Sequence, residues 1–262
     1  MDDVKPSFIE VGEGEAARPI AVLHEPGRSA GPGLVWLGGF RSDMIGTKAT
    51  VLAAFARARG LAVTRFDYSG HGASGGRFEE STVSRWLEDA ERVFDVVTQG
   101  PQVVVGSSMG GWIALLLARR LAERGLGDRL KALLLIAPAP DFTEALMWQA
   151  FPPEVRDTIL REGVWHRPSA YGDGPYPITR ALIEDGRRHL LLGRPIPVPA
   201  PVRILQGMQD PDVPWQHAMT LVERLEAPSV LLTLIKDGDH RLSRDGDLAL
   251  LMDTVAALAG AA

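Results

Sequence analysis

The 262-residue chain contains no cysteine. That excludes disulfides, thiolate nucleophiles and cysteine-based zinc sites. It also lacks any run of about 18 or more apolar residues, so no membrane span is expected. Positive charge is not in excess: 28 Lys and Arg stand against 33 Asp and Glu, a net charge of -5. Nucleic acid is therefore not an expected partner. There is no His-Glu-x-x-His and no histidine cluster with acidic spacing, so neither a metal nor a cofactor is expected. The opening residues Met1-Asp2-Asp3-Val4-Lys5 are acidic, with no apolar core and no run of arginine. Neither a secretory signal nor a transit peptide is read there, and a cytoplasmic location is the expectation.

What is present is enough to fold one large domain, residues 1–262, with 45% hydrophobic and 23% charged residues. The chain is organised around Val103-Val104-Val105-Gly106-Ser107-Ser108-Met109-Gly110-Gly111-Trp112. Three β-branched residues lead into a Gly-x-Ser-x-Gly pentapeptide, and the apolar run Ile113-Ala114-Leu115-Leu116-Leu117-Ala118 follows at once. Strand, sharp turn, helix is the context in which this pentapeptide presents a nucleophilic serine. The new helix aims its free N–H groups and positive dipole end at whatever Ser108 attacks. Two other matches, Gly27-Arg28-Ser29-Ala30-Gly31 and Gly72-Ala73-Ser74-Gly75-Gly76, lack the apolar helical run and read as surface turns.

Around this stretch strands and helices alternate. Residues 7–11 and 19–24 read as a leading hairpin, and Gly33-Leu34-Val35-Trp36-Leu37 as a central strand buried on both faces. Helices are expected over 46–59, 83–97, 215–224 and 242–258, and strands over 61–66, 130–136, 202–205 and 230–236. Residues 139–199 break the rhythm. This insert has helix-like stretches over 142–149, 154–161 and 178–192, and carries Met147, Trp148, Phe151, Trp165, Tyr171 and Tyr176. These apolar residues either pack a small core of their own or form a cap that lines an acyl pocket, with Trp148 and Phe151 touching substrate. The pattern predicts an α/β fold: a doubly wound, mostly parallel sheet, helices on both faces and a small helical cap insertion.

Sites in such sheets lie beyond the carboxyl ends of the strands. In the order Ser, acid, His, an acid and a base are sought after late strands. The strand ending at Leu205 runs into Gln206-Gly207-Met208-Gln209-Asp210-Pro211-Asp212, and the strand ending at Lys236 into Asp237-Gly238-Asp239-His240. His240 is the base expected; the other five histidines (24, 71, 166, 189, 217) read as solvated or core residues. Asp210 is preferred as the acid for its place at the loop bend, with Asp212 next and Asp141 a more distant third. Oxyanion donors are expected from the Met109 N–H and, after Gly38-Gly39, from the Phe40 N–H.

These residues carry a resemblance. The chain resembles the α/β-hydrolase family, and within it a group of animal α/β-hydrolase domain-containing proteins and their bacterial relatives. The matching segments are GTKA (46–49), RFDYSG (65–70), EEST (79–82), GPQVVVGSSMGGW (100–112), PIPVPAPVRILQGMQDPDVPW (195–215) and DHR (239–241). Gly38-Gly39 departs from the His-Gly that many α/β-hydrolases carry there. The resemblance implies hydrolysis of acyl esters and thioesters, either palmitoyl groups on protein cysteines or acyl glucuronides of carboxylic-acid drugs. It also implies Ser108, Asp210 and His240 as a triad. The partner expected is thus a small-molecule or acylated-protein ester or thioester; no oligomeric state is legible. A perhydrolase or haloperoxidase on the same triad, or a non-catalytic receptor on the same fold, are the alternatives. A dehalogenase or epoxide hydrolase would need Asp at position 108.

Overall fold

Long runs of buried apolar residues set the frame. In the computed structural model, which describes residues 5–168 and 174–260, the first strands are Ser7–Val11 (β1), Arg18–Glu25 (β2) and Gly33–Leu37 (β3). Helix Thr47–Arg59 (α1), strand Val63–Phe66 (β4), helix Val83–Val97 (α2), strand Gln102–Ser107 (β5), helix Met109–Glu123 (α3) and strand Leu130–Ile136 (β6) follow. The next segment contains a π-helical turn at Thr143–Trp148, helix Pro153–Glu162 (α4), strands Val164–Arg167 (β7) and Tyr176–Thr179 (β8), helix Arg180–Arg187 (α5) and the short strand Ile196–Pro197 (β9). The chain then returns through Val202–Gly207 (β10), Trp215–Arg224 (α6), Leu225–Glu226 (β11), Val230–Ile235 (β12) and Asp245–Ala259 (α7).

Eight strands form one sheet in the order β1-β2-β4-β3-β5-β6-β10-β12. Only the β1–β2 and β2–β4 pairs are antiparallel; the rest run parallel. This is the α/β-hydrolase fold the sequence predicts. Side chains alternate between the two faces, as the period of a strand requires. Val35, Leu37 and Val104 join Trp86, Phe94 and Trp112 on the α2–α3 side. Leu34, Trp36, Val103 and Val105 join Leu52, Ala56, Leu251 and Val255 on the α1–α7 side. Being covered on both faces, β3 and the middles of β5 and β6 are apolar throughout, and polar Gln102 and Lys131 stand only at the strand starts. Edge strand β12 differs: among the described residues it pairs with β10 alone, and Leu231 is 56% exposed.

Helix ends follow local chemistry. Thr82 caps α2 by accepting the Arg85 N–H, and Gly60 closes α1 in the left-handed conformation at φ 67°. The segment between β6 and β10 departs most from expectation. The stretch 178–192 is helical only over Arg180–Arg187, because Tyr176–Thr179 pairs with Val164–Arg167 in an antiparallel hairpin. Thr179 ends that strand and starts the helix, its side chain accepting the Leu182 N–H. The terminal helix starts at Asp245 rather than Leu242, since Leu242 sits at φ 45° with its N–H given to Asp239. Tyr171 lies outside the described residues.

Candidate active site

β5 delivers the chain to Ser108 and α3 leaves it. Ser108 takes φ 54° and ψ -117°, a conformation L-residues rarely adopt. Its N–H donates to the Ile136 carbonyl, and its own carbonyl accepts from Gly111 and Ala139. The crossing is too tight for side chains on either flank. A Cβ on Gly106 would meet the Gly110 oxygen at 2.4 Å, and one on Gly110 the Leu37 oxygen at 2.1 Å. Among the described residues, positive φ at non-glycine positions occurs at Ser108, Arg41, Ala137, Asp141 and Leu242. All five follow the carboxyl ends of β3, β5, β6 or β12, so the backbone strain of the sheet is concentrated at one rim.

Two more loops bring polar groups to that rim. His240 places Nδ1 2.7 Å from Asp210 Oδ2 and Nε2 3.1 Å from Ser108 Oγ. An ionised carboxylate only accepts, so Nδ1 holds the proton and Nε2 offers its lone pair to the serine hydroxyl. Asp210 is itself fixed: Oδ1 accepts the Asp212 and Val213 N–H groups at 2.8 Å, and Oδ2 accepts Gln206 Nε2 at 3.3 Å. The Asp210 and His240 loops touch through Gly207, where a Cβ would lie 2.3 Å from the Gly238 oxygen. Lys48 donates to the Arg241 carbonyl and steadies the histidine loop from α1. Burial pushes its amine down to about 8, against the pull of Asp239.

The other acid candidates have other partners. Asp141 accepts the Leu191 and Leu192 N–H groups and ties the ends of the insert together, and burial raises its carboxyl above the usual range. Asp212 lies nearer: Asp210, Asp212 and His240 present ligand atoms within 4.8 Å of one another. Both Asp210 oxygens already accept hydrogen bonds, so a cation there would have to displace them. Ser29 bonds the Gly60 carbonyl in an exposed turn. Ser74 is not a free surface residue: it donates to the Asp67 carbonyl and accepts the Ala21 N–H.

The Gly38–Ser42 loop lies directly against the serine. A Cβ on Gly39 would stand 3.5 Å from the Ser108 Cβ. Among the described residues neither the Phe40 nor the Met109 N–H finds an acceptor. The Phe40 ring is held by Phe78, Trp86, Phe142 and Tyr176, with centroids 5.2–6.0 Å away. Trp148 and Phe151 have different surroundings. Phe151 stacks edge-on with Trp165, and the Arg156 and Arg187 guanidinium groups lie 5.8 and 4.9 Å from the Trp148 ring centroid. Their described ring partners all belong to the insert.

Asp67 and His71 do not stand out in the sequence as site residues. Asp67 accepts the Met44 and Ala73 N–H groups, and His71 Nε2 accepts the Arg41 N–H at 3.0 Å. Both therefore hold the Gly38–Ser42 loop and its continuation. Burial raises the Asp67 carboxyl and lowers the His71 imidazole to about 4. The one visible signal was the density of glycine after β4: Gly70, Gly72, Gly75 and Gly76.

The Alpha/beta hydrolase family model matches residues 22–251. Palmitoyl-protein thioesterase ABHD10, mitochondrial, of Mus musculus is 40% identical over 225 residues, 86% of this chain and 74% of that protein. The Homo sapiens protein of the same name is 38% identical over 86% of this chain and 72% of its own. Among solved structures, a chain of Agrobacterium vitis S4 assumed to be a hydrolase superposes with a TM-score of 0.94 at 46% identity, covering 97% of this chain and 98% of that one. Alpha/beta hydrolase domain-containing protein 10 from mouse superposes with a TM-score of 0.84 at 37% identity, covering 96% and 98%. These names correct one expectation. The ABHD10 relatives are named mitochondrial, which overturns the cytoplasmic location read from the sequence. The expectation rested on the charge and hydropathy of the opening residues Met1 to Lys5 alone, and the packing of the folded domain carries no mark of compartment.

Proposed function

The chain belongs to the Alpha/beta hydrolase family, and on that footing we propose that it is a serine hydrolase cleaving carboxylic acyl esters or thioesters through an acyl-enzyme. The observation that carries this reading is the hydrogen-bonded line from Ser108 through His240 to Asp210. In this mechanism His240 Nε2 takes the serine proton as Oγ attacks the acyl carbonyl. Asp210 holds the proton-bearing Nδ1 and stabilises the imidazolium. The Met109 and Phe40 N–H groups receive the oxyanion; each such donor is worth about 2.7–4 kcal/mol of barrier. Collapse expels the alcohol or thiol, protonated by His240, and leaves the acyl group on Ser108. Water then repeats the sequence and releases the acid.

The names of the relatives point to long acyl thioesters as substrates. Residues 139–199 then act as a cap within the single domain, with Trp148 and Phe151 beside the acyl chain. The test is a panel of acyl esters and thioesters of graded chain length, run on wild type and Ser108→Ala with fluorophosphonate labelling alongside. Turnover and labelling are expected in wild type and lost in Ser108→Ala. Retention of both in the variant overturns the reading.

A further inference from the structure

Resting on that reading, we propose that His71 is a positioning residue for the oxyanion, holding the Gly38–Ser42 loop so that the Phe40 N–H faces the acyl carbonyl on Ser108. His71 touches neither Ser108 nor His240 in any described contact. It acts one residue away from the donor, on the backbone of Arg41.

The hydrogen bonds fix the form of the ring. A backbone N–H can only donate, so His71 Nε2, 3.0 Å from the Arg41 nitrogen, must present a lone pair. The proton then sits on Nδ1 and goes to the Ser69 carbonyl at 3.1 Å. A neutral ring with this one tautomer meets both demands; the opposite tautomer and the imidazolium each turn a donor toward a donor. Burial favours the neutral form, and only 5% of the residue is exposed.

The ring is also anchored on its far side. Ser69 gives both its N–H and its hydroxyl to Asp89 Oδ2, at 2.8 and 2.7 Å. Asp89 Oδ1 is held in turn by the Arg18 guanidinium. Phe78 and Trp86 pack edge-on against the imidazole at 5.2 and 5.7 Å. The histidine therefore does not follow the loop; the loop follows the histidine. Arg41 needs that hold, because at φ 57° it occupies a conformation that a residue with a side chain leaves when released. Relaxation of Arg41 swings the Phe40–Arg41 peptide that His71 holds by its N–H, and the turn passes through Phe40 to the adjoining Gly39–Phe40 peptide, which carries the Phe40 N–H.

The test compares His71→Leu, which keeps bulk and loses the acceptor, with His71→Gln, whose side-chain oxygen can accept the Arg41 N–H again. The expected result is a kcat lower by roughly tenfold to a hundredfold in His71→Leu, up to the scale of a lost oxyanion donor, with KM little changed. His71→Gln recovers part of the loss. A second readout separates positioning from general damage. An alkyl trifluoromethyl ketone adds the serine oxygen to its carbonyl and leaves an oxyanion in the hole. Its affinity falls in step with kcat/KM, while the affinity for the product acid of the same chain length stays put. If both affinities fall together, or kcat and ketone binding stay at wild-type level, the positioning role is overturned. Should His71→Leu not fold, nitrogen NMR on wild type decides. A neutral ring protonated at Nδ1 supports the role, and a proton on Nε2 overturns it. A wild type that neither hydrolyses esters nor binds the ketone overturns the hydrolase reading instead.

Discussion

Asp210 and Asp212 sit two positions apart in one loop, and geometry separates them. Asp210 meets His240 Nδ1 directly and takes the Asp212 N–H on its other oxygen. Asp210→Asn is therefore expected to lower kcat by on the order of 10⁴, because the amide leaves the imidazole in the wrong tautomer. Asp212→Asn keeps the backbone donor and is expected to cost far less; steady-state kinetics on the two variants compares them, and the reverse order would reassign the acid. His71 bears on stability as well. Its folded value of about 4 lies below the 6.5 of an exposed imidazole, so the unfolded chain binds the proton first. The contribution is full above 6.5 and is lost as pH falls toward 4. Wild type should lose roughly 2–3 kcal/mol more than His71→Gln between about pH 7 and pH 4.5, as read by urea unfolding at each pH. Equal losses would show that His71 is not buried neutral. The sequence made Ser108, Asp210 and His240 legible because each follows a recognisable strand in a fixed order. It hid His71, because its partner is a backbone N–H thirty residues away that no side-chain pattern marks.

At the scale of elements, the sheet strands and the large helices stood out, and the insert did not. β3 is an unbroken apolar run, β5 and β6 carry the runs Val103-Val104-Val105 and Ala132 to Ile136, and α2 repeats its apolar positions at three and four over Val83–Val97. The hairpin of β7 and β8 has only four residues a strand, and its pairing depends on a long-range register rather than on local periodicity. The turn Thr143–Trp148 is π-helical, a form without a sequence signature of its own. Whether the rings of the insert bind substrate is tested on Trp148→Ala and Phe151→Ala. If they line the acyl path, each methylene contributes up to about 0.8 kcal/mol, and both variants lose preference for long chains more than acetyl turnover. If they only pack the insert, the chain-length profile stays and the melting temperature drops, more for the buried Phe151 than for the half-buried Trp148.

For the whole molecule, the doubly wound architecture was readable because alternation with two-faced strands admits few other solutions. Compartment was not, since no physical demand of the fold depends on it. The sheet is also uneven from centre to edge. His240 follows β12, the last described strand, which among the described residues is joined by hydrogen bonds on one side only and leaves Leu231 bare. Edge elements with few covered contacts open at lower free energy than the core that holds Ser108. Under rising urea, turnover is then expected to vanish before the far-ultraviolet signal of the central strands begins to change; coincident curves would mean that the edge opens only with the entire sheet. The order of synthesis gives the same dependence. Ser108 stands on a core made early, and under the proposed mechanism a growing chain cannot react until the strand before His240 has left the ribosome and docked, so such an enzyme is born silent.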